Sequence, residues 1–500
     1  MSRWNLAWLL GITAAAVIGI SITYSAPNPP PEHKHKNLKL LVDVLDEVER
    51  RYVRELDQDK QRELVENMIN GGLEKLDPHS AFIGADEYKQ FRQASEGKFG
   101  GVGIKLGVDP RSGQFIVESP LAGTPAYEAG VAPGDVILKV DGKSIDTWNL
   151  KKVVDSIQGD PGTDVTLTVL HEHAKKPIDL KMTRAEIKIE NVMGDTRDKI
   201  NLKDWNFWVD PDGKIAYIRV NAFTETTVKD LTRIVDGLQK AGMKGLIVDL
   251  RYNPGGLLTA AVDVSSMFLP EGKDVVTTKG RGNTIDEVFK SKKKGDMQPG
   301  TYYPMAILLN RYSASASEIV AAALQDHARA VIIGERSYGK GSVQNLIRME
   351  DGLTALKLTT ASYWRPSGRN IHRFPDAKEE DEWGVKPNKG YEVKLTDEER
   401  VEYFKWRRDR DILRRPGQEP KAPAEGDKKD KKEFHDKVMD KALEYIRAEM
   451  AKKDGQGQAP RLPEENPAAV TQAEPTRAIP LQRRESVAEV ADRSYRNITR

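Results

Sequence analysis

The chain has 500 residues, of which 38% are hydrophobic and 31% charged, with a formal net charge of +2 and no cysteine. That length exceeds one ordinary domain of about 150 residues, and the near-neutral balance gives no electrostatic argument for a nucleic-acid partner. Without cysteine there is no disulfide, no thiolate metal site and no cysteine nucleophile. At the N-terminus, Arg3 precedes an apolar run from Trp4 to Tyr24, followed by the stiff linker Pro27-Asn28-Pro29-Pro30-Pro31. A run of about 20 apolar residues spans a bilayer, while Ser25-Ala26 offers small residues for signal cleavage. Residues 1–26 therefore read as a signal peptide or membrane anchor and 27–36 as a linker, and either way the bulk of the protein is expected outside the cytoplasm.

Residues 37–96 form an N-terminal helical region. Leu38, Leu41, Val42, Leu45 and Val48 share one helical face, and Leu64, Val65, Met68, Leu73 and Leu76 repeat the pattern. These faces need a partner, either the core or a second subunit, which leaves homo-oligomers open. Residues 97–185 change to a small, mostly β module. Ile104, Leu106 and Val108 alternate, Val136–Val140 runs into the hairpin signal Asp141-Gly142, Asn149–Ile157 reads as a helix, and Val165, Leu167 and Val169 alternate again. Residues 186–400 alternate strand and helix, with strands at 215–220, 246–250, 305–309 and 330–333, so a layered α/β core is expected. Residues 401–500 read as a charged, largely disordered tail with one helix at 433–450; Lys428-Lys429-Asp430-Lys431-Lys432 is its clearest charge run.

Two segments carry chemistry. Ser313-Ala314-Ser315-Ala316-Ser317-Glu318 lies between an apolar strand and an Ala-rich helix. A serine there is placed as a nucleophile, with free helix N–H groups nearby for an oxyanion. The same letters spell a capping box, in which Ser315 merely caps the helix. A serine nucleophile needs a base, and no histidine is well placed by pattern. His171 and His173 share a strand face, but no third metal ligand accompanies them. The remaining base is lysine, which serves when burial lowers its pKa. Lys340 stands between glycines in Gly339-Lys340-Gly341-Ser342-Val343-Gln344. The segment approaches a phosphate-binding loop, yet Gly341 stands where the magnesium-binding hydroxyl belongs and a hairpin follows where a helix is required.

With both segments in view, the chain resembles the carboxyl-terminal processing proteases, also called tail-specific proteases, over roughly residues 37–395. The resemblance rests on Ser313–Glu318, Ala321–Asp326 and Gly339–Gln344, with the lysine 25 residues after the serine and the glutamine four beyond the lysine. It implies Ser315 as nucleophile, Lys340 as general base and Gln344 as the group that orients the lysine. Asp249-Leu250-Arg251-Tyr252-Asn253-Pro254-Gly255-Gly256 resembles the family's glycine loop, which implies an oxyanion hole from a backbone N–H of Gly255 or Gly256 together with that of Ala316. Leu76-Asp77-Pro78-His79-Ser80 through Ile104 resembles the entry into the family's PDZ domain, which implies that Gly100, Gly101, Val102, Gly103 and Ile104 hold a peptide carboxylate and add the peptide as a strand. His372 departs from the pattern, where glutamine is common.

The implied fold is a multidomain α/β chain, a crotonase-like α/β protease core with a PDZ-like β module and N-terminal helices. The implied activity is a serine endopeptidase with no metal and no cofactor. It acts on protein or peptide substrates with free C-termini in the periplasm or cell envelope, with the N-terminal segment in the membrane. The rival is a non-catalytic, membrane-tethered PDZ adaptor.

Overall fold

The structure, a computed structural model, describes residues 32–109, 112–172, 174–198, 200–292, 303–414 and 434–455. The expected signal or anchor at 1–26, residues 27–31 of the linker, His173, the charge run at 428–432 and the tail beyond 455 lie outside them. The chain divides into two units, Met1–Ile69 and Asn70–Arg500. In the first, the helix Glu32–Arg51 begins inside the expected linker, and Leu38, Leu41 and Val42 on its apolar face are exposed. A second helix, Gln58–Glu74, starts in this unit and passes uninterrupted through Gly71 and Gly72. Among the described residues, no helix is long and apolar enough to cross a membrane.

In the second unit the β module is an antiparallel sheet in the order Ile104–Val108, Phe115–Pro120, Val136–Val140, Asp164–Leu170, Ile178–Thr183. Its alternating residues Val117, Ile137, Val165, Leu167 and Val169 are buried against the helix Leu150–Ile157, as a period of two with one covered face requires. The Asn149 side chain starts that helix by accepting the Lys152 N–H at 2.8 Å. The chain enters the module through Lys98–Gly101 and leaves through Ala185–Lys188, and these two strands pair antiparallel. The module is thus an insertion with both connections in one ribbon.

The core is a six-stranded sheet whose centre, Ile215–Val220, Gly245–Asp249, Met305–Leu309 and Val331–Gly334, is parallel. Every residue of these four strands is buried, because both faces are covered. Ala216, Ile218, Leu246, Val248 and Ile307 face the helices Glu225–Lys240, Leu258–Ser266 and Ala316–Asp326. The other face, with Ile215, Tyr217, Ile247, Ala306 and Leu308, is closed by Val438, Ala442 and Ile446 of the helix Lys437–Gly455. Each such aliphatic side chain stabilises the fold by roughly 1.5–3 kcal/mol.

The expected end of the core at residue 400 is therefore corrected. The helix Asp397–Asp411 buries Arg400, Tyr403 and Arg407, and its arginines pair with Asp195 while Asp411 pairs with Arg219. Charge and low hydropathy give this stretch the look of a disordered tail; the charges are satisfied inside the fold instead. A second, antiparallel sheet joins Ala81–Ile83, Thr354–Trp364, Asp274–Lys279 and Ile285–Lys290, with Ser342–Met349 forming a hairpin on Thr354–Trp364.

Candidate active site

The strand Met305–Leu309 ends in a turn that delivers three serines to the start of the helix Ala316–Asp326. Two are structural. Ser313 Oγ donates to Leu250 O at 2.8 Å and accepts the Asn310 N–H at 3.0 Å. Ser317 Oγ donates to Asn253 O at 3.0 Å. Both are fully buried. Ser315 differs, for its hydroxyl makes no side-chain cap hydrogen bond, and it keeps 9% exposure. The Glu318 half of the capping box is formed, with the Ser315 N–H donating to Glu318 Oε2 at 2.8 Å. The Ser315 side chain also lies at the Glu318 N–H, as the other half of the box requires, though without a side-chain cap hydrogen bond, so Ser315 caps its helix only loosely. Its backbone is at φ +55°, ψ −115°, outside the regions open to ordinary residues, a conformation that costs about 1–3 kcal/mol. The flanking bonds of Ser313 and Ser317 keep it there.

Glu318 is the hub of the site. It is fully buried, yet four donors converge on its carboxylate. Oε2 accepts the N–H of Ser315 and of Lys340, each at 2.8 Å, while Oε1 accepts the Gly339 N–H at 2.7 Å and the Ser337 hydroxyl at 2.6 Å. One oxygen thus ties the serine and lysine segments together although 25 residues separate them. Burial pushes the Glu318 carboxyl up to about 6, with the four hydrogen bonds opposing the rise.

The Lys340 ammonium is held below its ordinary range, first by burial and then by the charge of Lys357, with Glu318 acting the other way. His79 is lowered to about 4 by burial, then by Lys340, Lys357 and His372, against Asp77. His372 is lowered mainly by burial. Lys340 is therefore partly desolvated and feels the charge of a second lysine, while burial biases His79 and His372 toward their neutral forms. His327 is committed elsewhere, its Nε2 lying 2.7 Å from Asp274 O.

The glycine loop lies directly against Ser315. A Cβ at Gly255 would meet Ala314 O at 2.7 Å and Ser315 Cβ at 2.8 Å, and one at Gly256 would meet Phe223 O at 2.1 Å; their φ values are +105° and +142°. Only glycine fits at either position. The Gly255 N–H donates to Asn253 Oδ1 at 2.8 Å, whereas no backbone hydrogen bond from Gly256 N–H or Ala316 N–H is found among the described residues. Below the loop, Arg251 is buried between Asp249 and Asp436, at 2.6 Å and 2.8 Å, and Asp249 also accepts the Tyr217 hydroxyl at 2.8 Å.

Other expected residues are placed differently. Gln344 Nε2 donates to Ser342 Oγ at 2.9 Å and Thr359 Oγ1 at 3.2 Å; among the described residues no hydrogen bond joins it to Lys340, nor Ser315 Oγ to Lys340 Nζ. Gly100 and Gly101 belong to the connecting ribbon, opposite Glu186 and Ala185, so only Val102 and Gly103 remain as a turn before the strand that starts at Ile104. That strand is the free edge of its sheet. Glu318 and Lys357 were not singled out from sequence. Glu318 was visible only as a capping partner, and Lys357 sits in an alternating strand with no local mark.

Residues 214–388 match the model of peptidase family S41, and residues 116–170 match a PDZ domain. The carboxy-terminal-processing protease of Bartonella bacilliformis is 38% identical over 419 residues, covering 82% of this chain and 90% of that one. The chain belongs to peptidase family S41. It is a serine peptidase of the carboxy-terminal-processing group with a PDZ domain inserted ahead of its catalytic core. The peptidase is also 36% identical to the carboxy-terminal processing protease CtpA of Bacillus subtilis, over 64% of each chain. The solved photosystem II D1 C-terminal processing protease is 28% identical over 71% of this chain and 86% of that one, with a TM-score of 0.38, and this likeness adds nothing to the assignment.

Proposed function

We propose that this peptidase cleaves proteins recognised by their C-terminal tails, outside the cytoplasm, with Ser315 as nucleophile and Lys340 as general base. The observation that carries it is the shared Glu318 oxygen, which fixes the backbone of both residues in one place. Ser315 Oγ attacks the scissile carbonyl carbon while neutral Lys340 Nζ takes its proton. The N–H groups of Ala316 and Gly256 receive the oxyanion; Gly255 is set aside because Asn253 already holds its N–H. The Lys340 ammonium then protonates the leaving amine, and an acyl-enzyme remains on Ser315. Water attacks that ester, giving its proton to Lys340, which returns it to Ser315 Oγ as the ester C–O bond breaks and the acid leaves. Gln344 orients the lysine amine without adding a charge that would raise its pKa. The absence of a Ser315–Lys340 hydrogen bond accords with catalytic contacts that tighten only with substrate bound.

The PDZ domain supplies the tail recognition. A peptide adds to the open edge Ile104–Val108, with its carboxylate at the Val102–Gly103 turn. The apolar run Trp4–Tyr24 supports export, as anchor or signal. The test uses the full chain and one unfolded peptide substrate, prepared as the free acid and as the C-terminal amide. The expected result is a KM for the acid at least about tenfold lower, the worth of one charge-assisted contact. Equal KM values would remove tail recognition and leave a general endopeptidase.

A further inference from the structure

The turn Asp77–Ser80 precedes the PDZ insertion by some twenty residues, yet its carboxylate reaches the hairpin that carries Gln344. Asp77 Oδ1 accepts the N–H of His79 at 2.8 Å, the N–H of Ser80 at 2.9 Å and the Thr359 hydroxyl at 3.0 Å. Asp77 Oδ2 accepts the Ser80 hydroxyl at 2.6 Å, and Ser80 Oγ in turn accepts the Thr359 N–H at 3.0 Å. Both side chains of the turn thus converge on one residue of the strand Thr354–Trp364. A register shift between Val343 and Gln344 sets Gln344 opposite Thr359 and leaves Thr360 without a partner across the hairpin. Such a bulge re-aims the side chain beside it, and here it brings Gln344 Nε2 to Thr359 Oγ1.

Proton counting then fixes an orientation. Burial alone would raise the Asp77 carboxyl, but the hydrogen bonds from Ser80, His79 N–H and Thr359 outweigh it and hold it below its ordinary value, so at neutral pH it is an acceptor only. The single Thr359 hydroxyl proton must go to Asp77. Thr359 Oγ1 can then only accept from residue 344, and the amide end facing it must be the NH2. The second N–H of that NH2 meets Ser342 Oγ. The amide oxygen Oε1 is left as the free acceptor end, the end a lysine amine requires. A flipped amide would set two oxygens against each other and lose a hydrogen bond.

We propose that Asp77 is a positioning residue for peptide hydrolysis, acting through the Thr359 hydroxyl to hold the Gln344 amide with its oxygen available to Lys340. The proposal rests on the reading of Gln344 as the group that orients the lysine. Asp77 also lies near His79, Lys357 and His372, whose ionisation feels its charge. Thr359→Val is therefore the cleaner interruption, because it breaks the relay and leaves that charge in place.

The test is a double-mutant cycle on the full chain with one peptide substrate, with kcat, KM and thermal melts measured together. Asp77→Asn and Thr359→Val are each expected to lower kcat about tenfold, one neutral hydrogen bond's worth, with KM within about twofold of the parent. Thr359→Ser keeps the hydroxyl and is expected to restore kcat to within about threefold. In the Gln344→Ala background neither change should lower kcat further. A full additional loss there would show that Asp77 and Thr359 act by another route, and unchanged kcat in both single variants would equally overturn the relay. Full activity of Gln344→Ala alone would instead remove the orienting role of Gln344 and the proposal with it.

Discussion

Ser315→Ala is expected to give a folded protein that no longer hydrolyses peptide bonds. The Ser315 hydroxyl makes no side-chain cap hydrogen bond, and the Glu318 N–H it approaches keeps its bond to Ser315 O at 2.8 Å, so the melting temperature should move little. Activity should fall below detection, since losing a serine nucleophile costs on the order of 10⁶-fold in kcat. Ser313→Ala and Ser317→Ala should behave in the opposite way. Each removes a buried hydroxyl that holds a loop carbonyl, Leu250 O or Asn253 O, at a cost of about 1–3 kcal/mol in stability. Each leaves the attacking oxygen in place and should keep most of the activity. Parallel assays and melts on the three variants check this pattern; a dead Ser313→Ala beside an active Ser315→Ala would move the nucleophile.

Lys340→Arg should be as inactive as Lys340→Ala. Arginine stays protonated and cannot accept the serine proton, and loss of a general base lowers kcat on the order of 10²–10⁴-fold. The pH dependence follows in sign from the environment. The neutral amine is the active form, so the rate rises with pH through the Lys340 pKa. Burial and the Lys357 charge lower that pKa, which carries activity down toward neutral pH. Lys357→Met removes one of the two depressing causes. Its acid limb should therefore move to higher pH, with kcat at the alkaline plateau retained. Rate profiles for the parent and Lys357→Met check this, and a limb that stays in place would separate Lys357 from the base. An active Lys340→Arg would rule out lysine and leave His79, whose ionisation feels the Lys340 charge, and His372 as the next candidates.

Much of the candidate site was legible because its pieces are local. Ser315 and Lys340 each stand in a dense motif at an element boundary, and the parallel strands are short apolar runs that nothing else explains. The convergence on Glu318 was not legible, since a capping box is complete in four residues and hides that the same carboxylate also receives Ser337, Gly339 and Lys340. Asp77 and Lys357 reach the site through β pairing between Ala81–Ile83 and Thr354–Trp364, a long-range register that no local pattern encodes. The helix Asp397–Asp411 failed for a related reason. Its arginines look like a solvated run until Asp195, Glu335 and Asp411 are placed beside them. The glycines at 100–103 looked alike in sequence, although two of them serve a connecting ribbon and Gly103 a turn.

The central claim is a covalent step at one oxygen, and acyl-enzyme mapping tests it most directly. The peptidase would be mixed with an activated ester of a short peptide, quenched in acid within its first turnover, and digested for mass spectrometry. The account predicts one acyl group per chain, on Ser315, absent from Ser315→Ala and strongly slowed in Lys340→Arg. Turnover without any protein-bound acyl group, or an adduct on Ser313 or Ser317, would contradict it.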